Sequence, residues 1–175
     1  MGCPEVLVLH GSPGAGKSTL AEAIAEQLRA EDIPSALIDL DALSIVHPHP
    51  GPAFSRSNLR AVWPNYAAVP GVKVVLPLVV KHADDLAELR EITSAERLLV
   101  CELTAPRSIL EARVTEREPT EFWKDRLLYW VDVYSQRDDL EVIRDFAVST
   151  DGRRVEECVD EIINLCGWRT IVRNP

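Results

Sequence analysis

One stretch of nine residues limits what this chain can fold into more than any other, because its glycines, lysine and hydroxyl residues have a fixed spacing. The stretch Gly11-Ser12-Pro13-Gly14-Ala15-Gly16-Lys17-Ser18-Thr19 fits the P-loop pattern G-x-x-x-x-G-K-[ST] at every fixed position. An apolar run at residues 6–9 precedes it, and apolar residues follow it at helical spacing, namely Leu20, Ala23, Ile24 and Leu28. The sequence therefore predicts a strand, a phosphate-binding loop and a helix in succession.

The chemistry of such a loop follows from its backbone. Glycines let several backbone N–H groups converge on phosphate oxygens, and the positive end of the following helix strengthens the attraction. We expect Lys17 to contact the β- and γ-phosphates of a nucleotide and the Ser18 hydroxyl to bind Mg²⁺. The alternative interpretation is a glycine turn that merely links a strand to a helix.

Composition narrows the class of protein. The chain has 175 residues, of which 46% are hydrophobic and 27% charged, and this suits one α/β domain over residues 1–175. A net charge of −9 disfavours a nucleic-acid partner. The sequence has no long apolar run, so we expect neither a signal peptide nor a membrane span. The four cysteines show no metal-type spacing, so we expect reduced thiols in a cytoplasmic protein.

Apolar runs alternate with helical patterns five times along the chain. This alternation predicts a five-stranded parallel sheet with helices on both faces, and a ligand site beyond the carboxyl ends of the strands. One residue conflicts with the pattern: Pro77 has no N–H to donate within the run at residues 72–80, so the third strand either ends near Leu76 or bulges there. Pro64 is expected to kink or end the helix over residues 55–68. The predicted strands comprise residues 5–10, 35–39, 72–80, 97–103 and a short strand ending at 147–149.

Two carboxylates follow the second predicted strand. Asp39 and Asp41 lie two residues apart, at the same edge of the sheet as the P-loop. A phosphoryl acceptor with a hydroxyl group benefits from a carboxylate nearby that orients the hydroxyl or takes its proton. The alternative is that Asp41 only caps the next segment.

The order of four features resembles the small-molecule P-loop kinases, the group that holds shikimate kinase, gluconate kinase, adenylylsulfate kinase and chloramphenicol phosphotransferase. The features are the P-loop, the Asp39-x-Asp41 pair, a helix at residues 110–117 before a charged break, and the segment 149–153. No N-K-x-D element for guanine occurs, and no apolar strand ends in acidic residues as in motor ATPases. The resemblance implies a P-loop NTPase three-layer sandwich with strand order 2-3-1-4-5, and ATP and Mg²⁺ as cofactors.

The resemblance also implies roles for individual residues. Asp39 would hold a water on Mg²⁺ and Asp41 would bind or activate the acceptor hydroxyl, although the two roles could be exchanged. In a short lid region around residues 113–126, Arg113 would stack on adenine and Arg117 would clamp phosphate, with Arg126 in reserve. The segment 150–153, which includes Asp151 and Arg153, would flank the adenine. The alternative for the helix arginines is a solvated surface paired with glutamates.

A cluster between the second and third strands is the candidate acceptor site. It combines arginines, an amide and aromatic rings that suit a polar or anionic small molecule, and its members are Arg56, Asn58, Arg60, Trp63 and Tyr66. Equally, the aromatic residues could belong to the core and the arginines to the surface. His47 and His49 have weak metal-ligand spacing, and His10 is interpreted as a packed neighbour of the P-loop.

These observations lead to the hypothesis of an ATP- and Mg²⁺-dependent phosphotransferase that moves the γ-phosphoryl group to a hydroxyl of a small molecule. A first alternative is a nucleotide-binding switch or scaffold ATPase with a protein partner, which would dock on Trp168 and the tail at residues 169–175. A second alternative, a polynucleotide 5′-kinase, is disfavoured by the net charge of −9. The sequence determines neither the acceptor nor the oligomeric state.

Overall fold

The apolar runs predicted as strands form one parallel sheet in the computed structural model, which describes residues 3–51 and 53–169. The strand order is β2-β3-β1-β4-β5 and all neighbouring pairs are parallel, so the predicted fold class and order are confirmed. The strands are β1 (Glu5–Gly11), β2 (Ser35–Leu37), β3 (Lys73–Pro77), β4 (Arg97–Thr104) and β5 (Phe146–Ser149).

Helices connect the strands, as parallel pairing of successive strands requires. They are α1 (Lys17–Ala30), α2 (Phe54–Ala67), α3 (Ala83–Thr93), α4 (Arg107–Arg117), α5 (Glu121–Ser135), α6 (Leu140–Ile143) and α7 (Val155–Cys166), with a 3₁₀ helix at Ala42–Ser44. The four-residue helix α6 was not predicted, because it is too short to show a periodic pattern. Pro64 does not end its helix at once but lies in the last turn of α2, which continues for three more residues to Ala67.

Both faces of the sheet are covered, which produces the three layers. Alternate side chains of β1 point to opposite faces: Leu7 and Leu9 pack in a core with α1 and α7, and Val6 and Val8 pack in a second core with α2 and α3. No helix in the described part of the chain is both long and apolar enough to cross a membrane.

Pro77 fits the sheet because its neighbour β2 is short. It is the last residue of β3, two positions beyond Val75, which pairs with the last residue of β2. The next residue, Leu78, donates its N–H to the carbonyl of Leu9 on the other side (3.0 Å). The missing N–H of Pro77 therefore lies beyond the end of β2, where no partner strand requires it.

Candidate active site

The P-loop joins the carboxyl end of β1 to α1 and leaves the start of that helix uncapped. Gly16 precedes α1 with φ +94°, a left-handed conformation that favours glycine, and no side chain caps the helix. The first intrahelical bond runs from Leu20 N–H to Gly16 C=O (2.9 Å). The N–H groups of the first turn are therefore free to bind an anion. Gly14 is required for space, because a Cβ there would lie 2.7 Å from the carbonyl oxygen of Leu110 in α4.

Lys17 folds back over the loop. Its Nζ donates hydrogen bonds to the carbonyl oxygens of Gly11 (2.7 Å) and Ser12 (2.9 Å). The pKa of Lys17 is lowered to about 8, chiefly by burial; the carboxylate of Asp41 raises it and the charge of Arg117 contributes to lowering it. The charges of these two side chains therefore act on Lys17.

 In sequence, Asp41 follows Lys17 by 24 positions and Arg117 follows Asp41 by 76, so only the fold brings the three charges together.

Ser12 provides a second sign that the loop is built to hold a ligand. Its side chain is buried, and its Oγ is the only buried side-chain nitrogen or oxygen without a hydrogen-bond partner among the described residues. A buried polar atom without a partner is costly. Together with the uncapped first turn of α1, it fits a phosphate group that would supply the missing contacts.

The lowered pKa of Lys17 predicts a pH dependence of nucleotide binding. Bound phosphates favour the charged lysine, so affinity should be highest below about pH 8 and fall by up to about tenfold per pH unit above it. The effect on folding has the opposite sign: the folded pKa lies below the ordinary value of 10.5, so this group adds stability as the pH rises from about 8 to about 10.5.

Titration calorimetry with ATP at several pH values, in buffers of different ionisation enthalpy, measures both the affinity and the proton uptake. A Lys17→Arg variant is the matched control, because its guanidinium stays charged over the whole range and should flatten the profile. An affinity of the unmodified protein that is constant from about pH 7 to about pH 9, without proton uptake, would contradict the prediction.

The two aspartates after β2 have different surroundings. Asp39 Oδ1 accepts the backbone N–H groups of Asp41 (2.8 Å) and Ala42 (3.2 Å), so it holds the start of the 3₁₀ helix. Asp41 is exposed, makes no side-chain cap, and acts on the charge of Lys17. The capping role that the sequence left open for Asp41 therefore belongs to Asp39. Which of the two serves the metal and which the acceptor stays a prediction.

The oxygen donors at this edge of the sheet fit a magnesium ion. Ser18 is exposed in the first turn of α1, and carboxylates and hydroxyls are the oxygen ligands that Mg²⁺ prefers alongside water and phosphate. The described residues contain no group of three or more His, Cys, Asp or Glu side chains that could hold a metal. A magnesium site here would thus depend on nucleotide phosphates and water for much of its shell. The same finding gives no support to a metal site at His47 and His49.

Arg113 connects three parts of the site. Its Nη1 donates to Thr150 Oγ1 (2.9 Å) and to the carbonyl of Gly14 (3.3 Å), and its Nη2 donates to the carbonyl of Thr150 (2.8 Å). The arginine therefore ties α4 to the P-loop and to the segment after β5. These contacts distinguish it from an arginine on a solvated helix surface.

A cavity of about 260 Å³ opens beside the P-loop, between α4 and the start of α7. Its lining includes Gly16, Thr19, Arg113, Arg117, Thr150 and Arg153. A second cavity, of about 460 Å³, lies between α1 and β2 and contains no P-loop residue. The first cavity therefore has the position expected for the base of a nucleotide.

Two other arginines predicted near the nucleotide form ion pairs with glutamates, and a third lies against an aromatic ring. Arg117 is 61% exposed and pairs with Glu118 (2.8 Å), so its guanidinium is free to change partners. Arg153 pairs with Glu161 (2.5 Å), and Asp151 is exposed. The guanidinium of Arg126 lies 6.0 Å from the Trp123 ring centroid on α5, outside the lining of the cavity.

The predicted acceptor cluster has internal partners. Arg56 lies 3.5 Å from Asp85 and 3.7 Å from Glu88 of α3, and Arg60 lies 3.2 Å from Glu88. The remaining members are also engaged: Asn58 donates to the carbonyl of Leu43 (2.6 Å), Trp63 is buried in the core, and Tyr66 packs against it. Acceptor binding by these residues stays a prediction, and their contacts support the structural alternative.

A buried polar chain beneath the P-loop was not predicted from the sequence. His10, the residue before Gly11, contacts Tyr134 of α5 (Nε2 to Oη, 3.0 Å), and Tyr134 donates to Glu102 of β4 (3.0 Å). Burial lowers the pKa of His10 to about 4. In the sequence, His10 and Glu102 each stand inside an apolar strand run. This pattern predicts that both are buried with hydrogen-bond partners, but it does not identify those partners.

Comparison with known proteins supports the fold. A family model described as zeta toxin matches residues 2–62, and no curated protein matches the chain. Among solved structures, the APS kinase of Mycobacterium tuberculosis in complex with AMPPNP and APS is 18% identical with a TM-score of 0.67, covering 95% of this chain and 99% of that one. A gluconokinase from Sinorhizobium meliloti 1021 is 24% identical with a TM-score of 0.62, covering 97% and 100%.

A shikimate kinase from Acinetobacter baumannii in complex with shikimate is 19% identical, with a TM-score of 0.60 and coverage of 95% of both chains. These similarities span nearly the whole chain. The resemblance to small-molecule P-loop kinases that the sequence indicated is therefore confirmed at the level of the fold.

Proposed function

We propose that this chain, which has the fold of the small-molecule P-loop kinases, is an ATP- and Mg²⁺-dependent phosphotransferase that moves the γ-phosphoryl group to a hydroxyl of a small molecule. The observation that carries the proposal is the P-loop, with its uncapped start of α1 and a buried Ser12 hydroxyl without a partner among the described residues, beside a cavity that Arg117 also lines. The charges of Asp41 and Arg117 both act on the pKa of Lys17, which supports it. A cation, an acid and a second cation beside one phosphate loop are the groups that phosphoryl transfer needs.

Charge neutralisation is assigned to the two cations and to the start of α1. Lys17 would exchange its bonds to the carbonyls of Gly11 and Ser12 for phosphate oxygens, and Arg117 would leave Glu118 to reach the transferred group. The free N–H groups of the first turn of α1 would hold the phosphates in place. Such preorganised donors stabilise the charge that develops during transfer.

Asp41 is assigned to the acceptor. Its exposed carboxylate would accept the hydrogen of the acceptor hydroxyl and orient the oxygen for in-line attack. Ser18 and, through water, Asp39 are the residues that would hold Mg²⁺. When bound, the ion would neutralise charge on the phosphate oxygens.

The base of the nucleotide is assigned to the cavity beside α4. Arg113 is held there by its bonds to Thr150 and Gly14, which gives a planar group for stacking and ties it to the backbone at Thr150. Adenine is proposed over guanine because the sequence lacks the N-K-x-D element.

The structure removes one argument for the alternative of a scaffold ATPase, namely that Trp168 would bind a protein partner. Trp168, the predicted docking residue, is 4% exposed and packs in the core below α1, and its Nε1 donates to Glu5 (3.1 Å). A buried indole with a bonded N–H offers no surface to a partner, so this prediction was wrong. The tail at residues 170–175 lies outside the described residues.

Thermal unfolding with Mg²⁺ and either ATP, GTP or AMP tests the nucleotide part of the proposal. A ligand at a hundred times its dissociation constant adds about 2.7 kcal/mol to the free energy of unfolding, so a selective rise of the melting temperature with ATP is expected. No rise with any nucleotide would contradict the proposal. If ATP binds, its turnover is then measured with small hydroxyl compounds and with protein fractions; stimulation by protein alone would favour the scaffold.

A further inference from the structure

The buried polar chain beneath the P-loop joins three strand ends to helix α5. His10 Nδ1 accepts the backbone N–H of Val80, just beyond β3 (3.0 Å), so its proton lies on Nε2 and is donated to Tyr134 Oη (3.0 Å). Tyr134 donates its own hydrogen to Glu102 Oε1 (3.0 Å). The other carboxylate oxygen of Glu102 accepts a hydrogen bond from Arg144 (2.6 Å).

Every member of this chain has its partners. The Tyr134 hydroxyl receives one hydrogen bond and donates one, and both oxygens of Glu102 are engaged although the residue is 2% exposed. Fully satisfied buried networks specify a single geometry, because any displacement leaves a polar atom without a partner at high cost. The Tyr134 hydroxyl is the central link, since it bonds to His10 of β1 and to Glu102 of β4.

The polar chain contacts the C-terminal end of α5. Close to Tyr134, Arg137 donates to the carbonyl of Val80 (2.7 Å) and lies 5.5 Å from the Tyr134 ring centroid. At the other end of the helix, Phe122 and Trp123 are 69% and 52% exposed. Helix α5 is therefore held at its C-terminal end, beside the strand that carries the P-loop.

The N-terminal end of α5 leads back to the nucleotide site. Only residues 118–120 separate the start of α5 from Arg117, the last residue of α4. In addition, Arg107 at the start of α4 pairs with Asp132 of α5 (2.7 Å), so the way α5 is held acts on α4 and on Arg117 at its end. The distance between Arg117 and Lys17 is the quantity that the proposed function uses.

We propose that Tyr134 is a positioning residue, whose hydroxyl fixes the C-terminal end of α5 to β1 and β4 and thereby sets Arg117 over the P-loop. This inference rests on the proposed function, in which Arg117 neutralises charge on the transferred phosphoryl group. Tyr134 itself contacts no P-loop residue through a hydrogen bond; it acts through its helix.

The test removes the hydroxyl alone. Tyr134→Phe should lower kcat by about tenfold, as expected for a small misplacement of a charged group, and leave the Kd for ATP within about twofold. The matched control is Tyr129→Phe, on the same helix, because that tyrosine is 62% exposed; it should behave as the unmodified protein. His10→Asn removes the same bond from the opposite side and retains an acceptor for the Val80 N–H, so it should reproduce the effect if Tyr134→Phe fails to fold.

A double-mutant cycle separates positioning from general loss of structure. If Tyr134 acts through Arg117, then Tyr134→Phe should lower kcat by less than about twofold when Arg117→Ala is already present. Equal losses in both backgrounds would overturn the inference. So would a loss in kcat that is matched by the Tyr129→Phe control.

Hydrogen exchange gives a measurement that does not need activity. Amides of residues 118–135 should exchange faster in Tyr134→Phe and His10→Asn than in Tyr129→Phe, and those of α1 should not. Unchanged exchange in this segment would overturn the inference. A protein that turns over no ATP would contradict the proposed function, while the exchange measurement would still decide whether Tyr134 anchors α5.

Discussion

Replacing Lys17 with alanine should reduce kcat for phosphoryl transfer by at least about a thousandfold, since it removes a cation placed where charge develops. The loss should not come from unfolding. Burial lowers the pKa of Lys17 to about 8, so the folded protein bears a desolvation cost that the variant no longer has, and this offsets the lost bonds to Gly11 and Ser12. The melting temperature is expected to stay within about 4 °C, the shift that 1 kcal/mol causes in a domain of this size.

Steady-state kinetics and thermal unfolding of the Lys17→Ala variant check both parts. Arg29→Ala is the control, because Arg29 is a cation at the far end of the same helix with a side chain that is 76% exposed; it should retain full activity. A Lys17→Ala variant with near-normal kcat would contradict the proposed mechanism. A variant that fails to fold would contradict the view that Lys17 serves the ligand more than the fold.

Replacing Asp41 with asparagine should lower kcat by about a hundredfold or more, the effect of losing a carboxylate that assists proton transfer. It should also have a second, independent effect. The Asp41 carboxylate raises the pKa of Lys17, so its removal should shift that pKa downwards from about 8. The decline of kcat/KM at alkaline pH should then begin at a lower pH.

Asp39→Asn provides the comparison. Its amide oxygen retains an acceptor for the N–H groups of Asp41 and Ala42, so the turn should persist, and the alkaline decline should stay where it is. A larger dependence on Mg²⁺ concentration is the expected change for this variant. If Asp39→Asn instead loses more kcat and moves the alkaline decline, the two roles are exchanged. Asp84→Asn, an exposed carboxylate on α3, should change neither.

Local patterns in the sequence were sufficient to predict the sheet and the phosphate loop. Buried parallel strands are apolar along their whole length and helices repeat their apolar residues every three or four positions, so both can be recognised without knowledge of the rest of the chain. The P-loop needs glycine where the backbone is left-handed at Gly16 and crowded at Gly14. The conformation at Gly16 is a local requirement that appears directly in the sequence, whereas the crowding at Gly14 comes from Leu110 of α4.

The partners of individual polar side chains were less predictable, because several polar groups compete for each one. The sequence placed Arg56 and Arg60 in an acceptor site, and in the structure both pair with acidic residues of α3. The scaffold alternative placed Trp168 on a docking surface, and the indole is buried. Each outcome depends on which helix face packs against which neighbour, and a linear pattern does not contain that information.

By itself, the sequence determined the fold class, the P-loop and the edge of the sheet where a ligand would bind, since these depend on backbone conformation and on the burial of apolar runs. Only the tertiary structure decided that Asp39 holds a turn while Asp41 acts on Lys17, and that His10 meets Tyr134 across 124 positions of sequence. Contacts of this kind form because packing excludes water and leaves each buried polar atom to find a partner among distant residues.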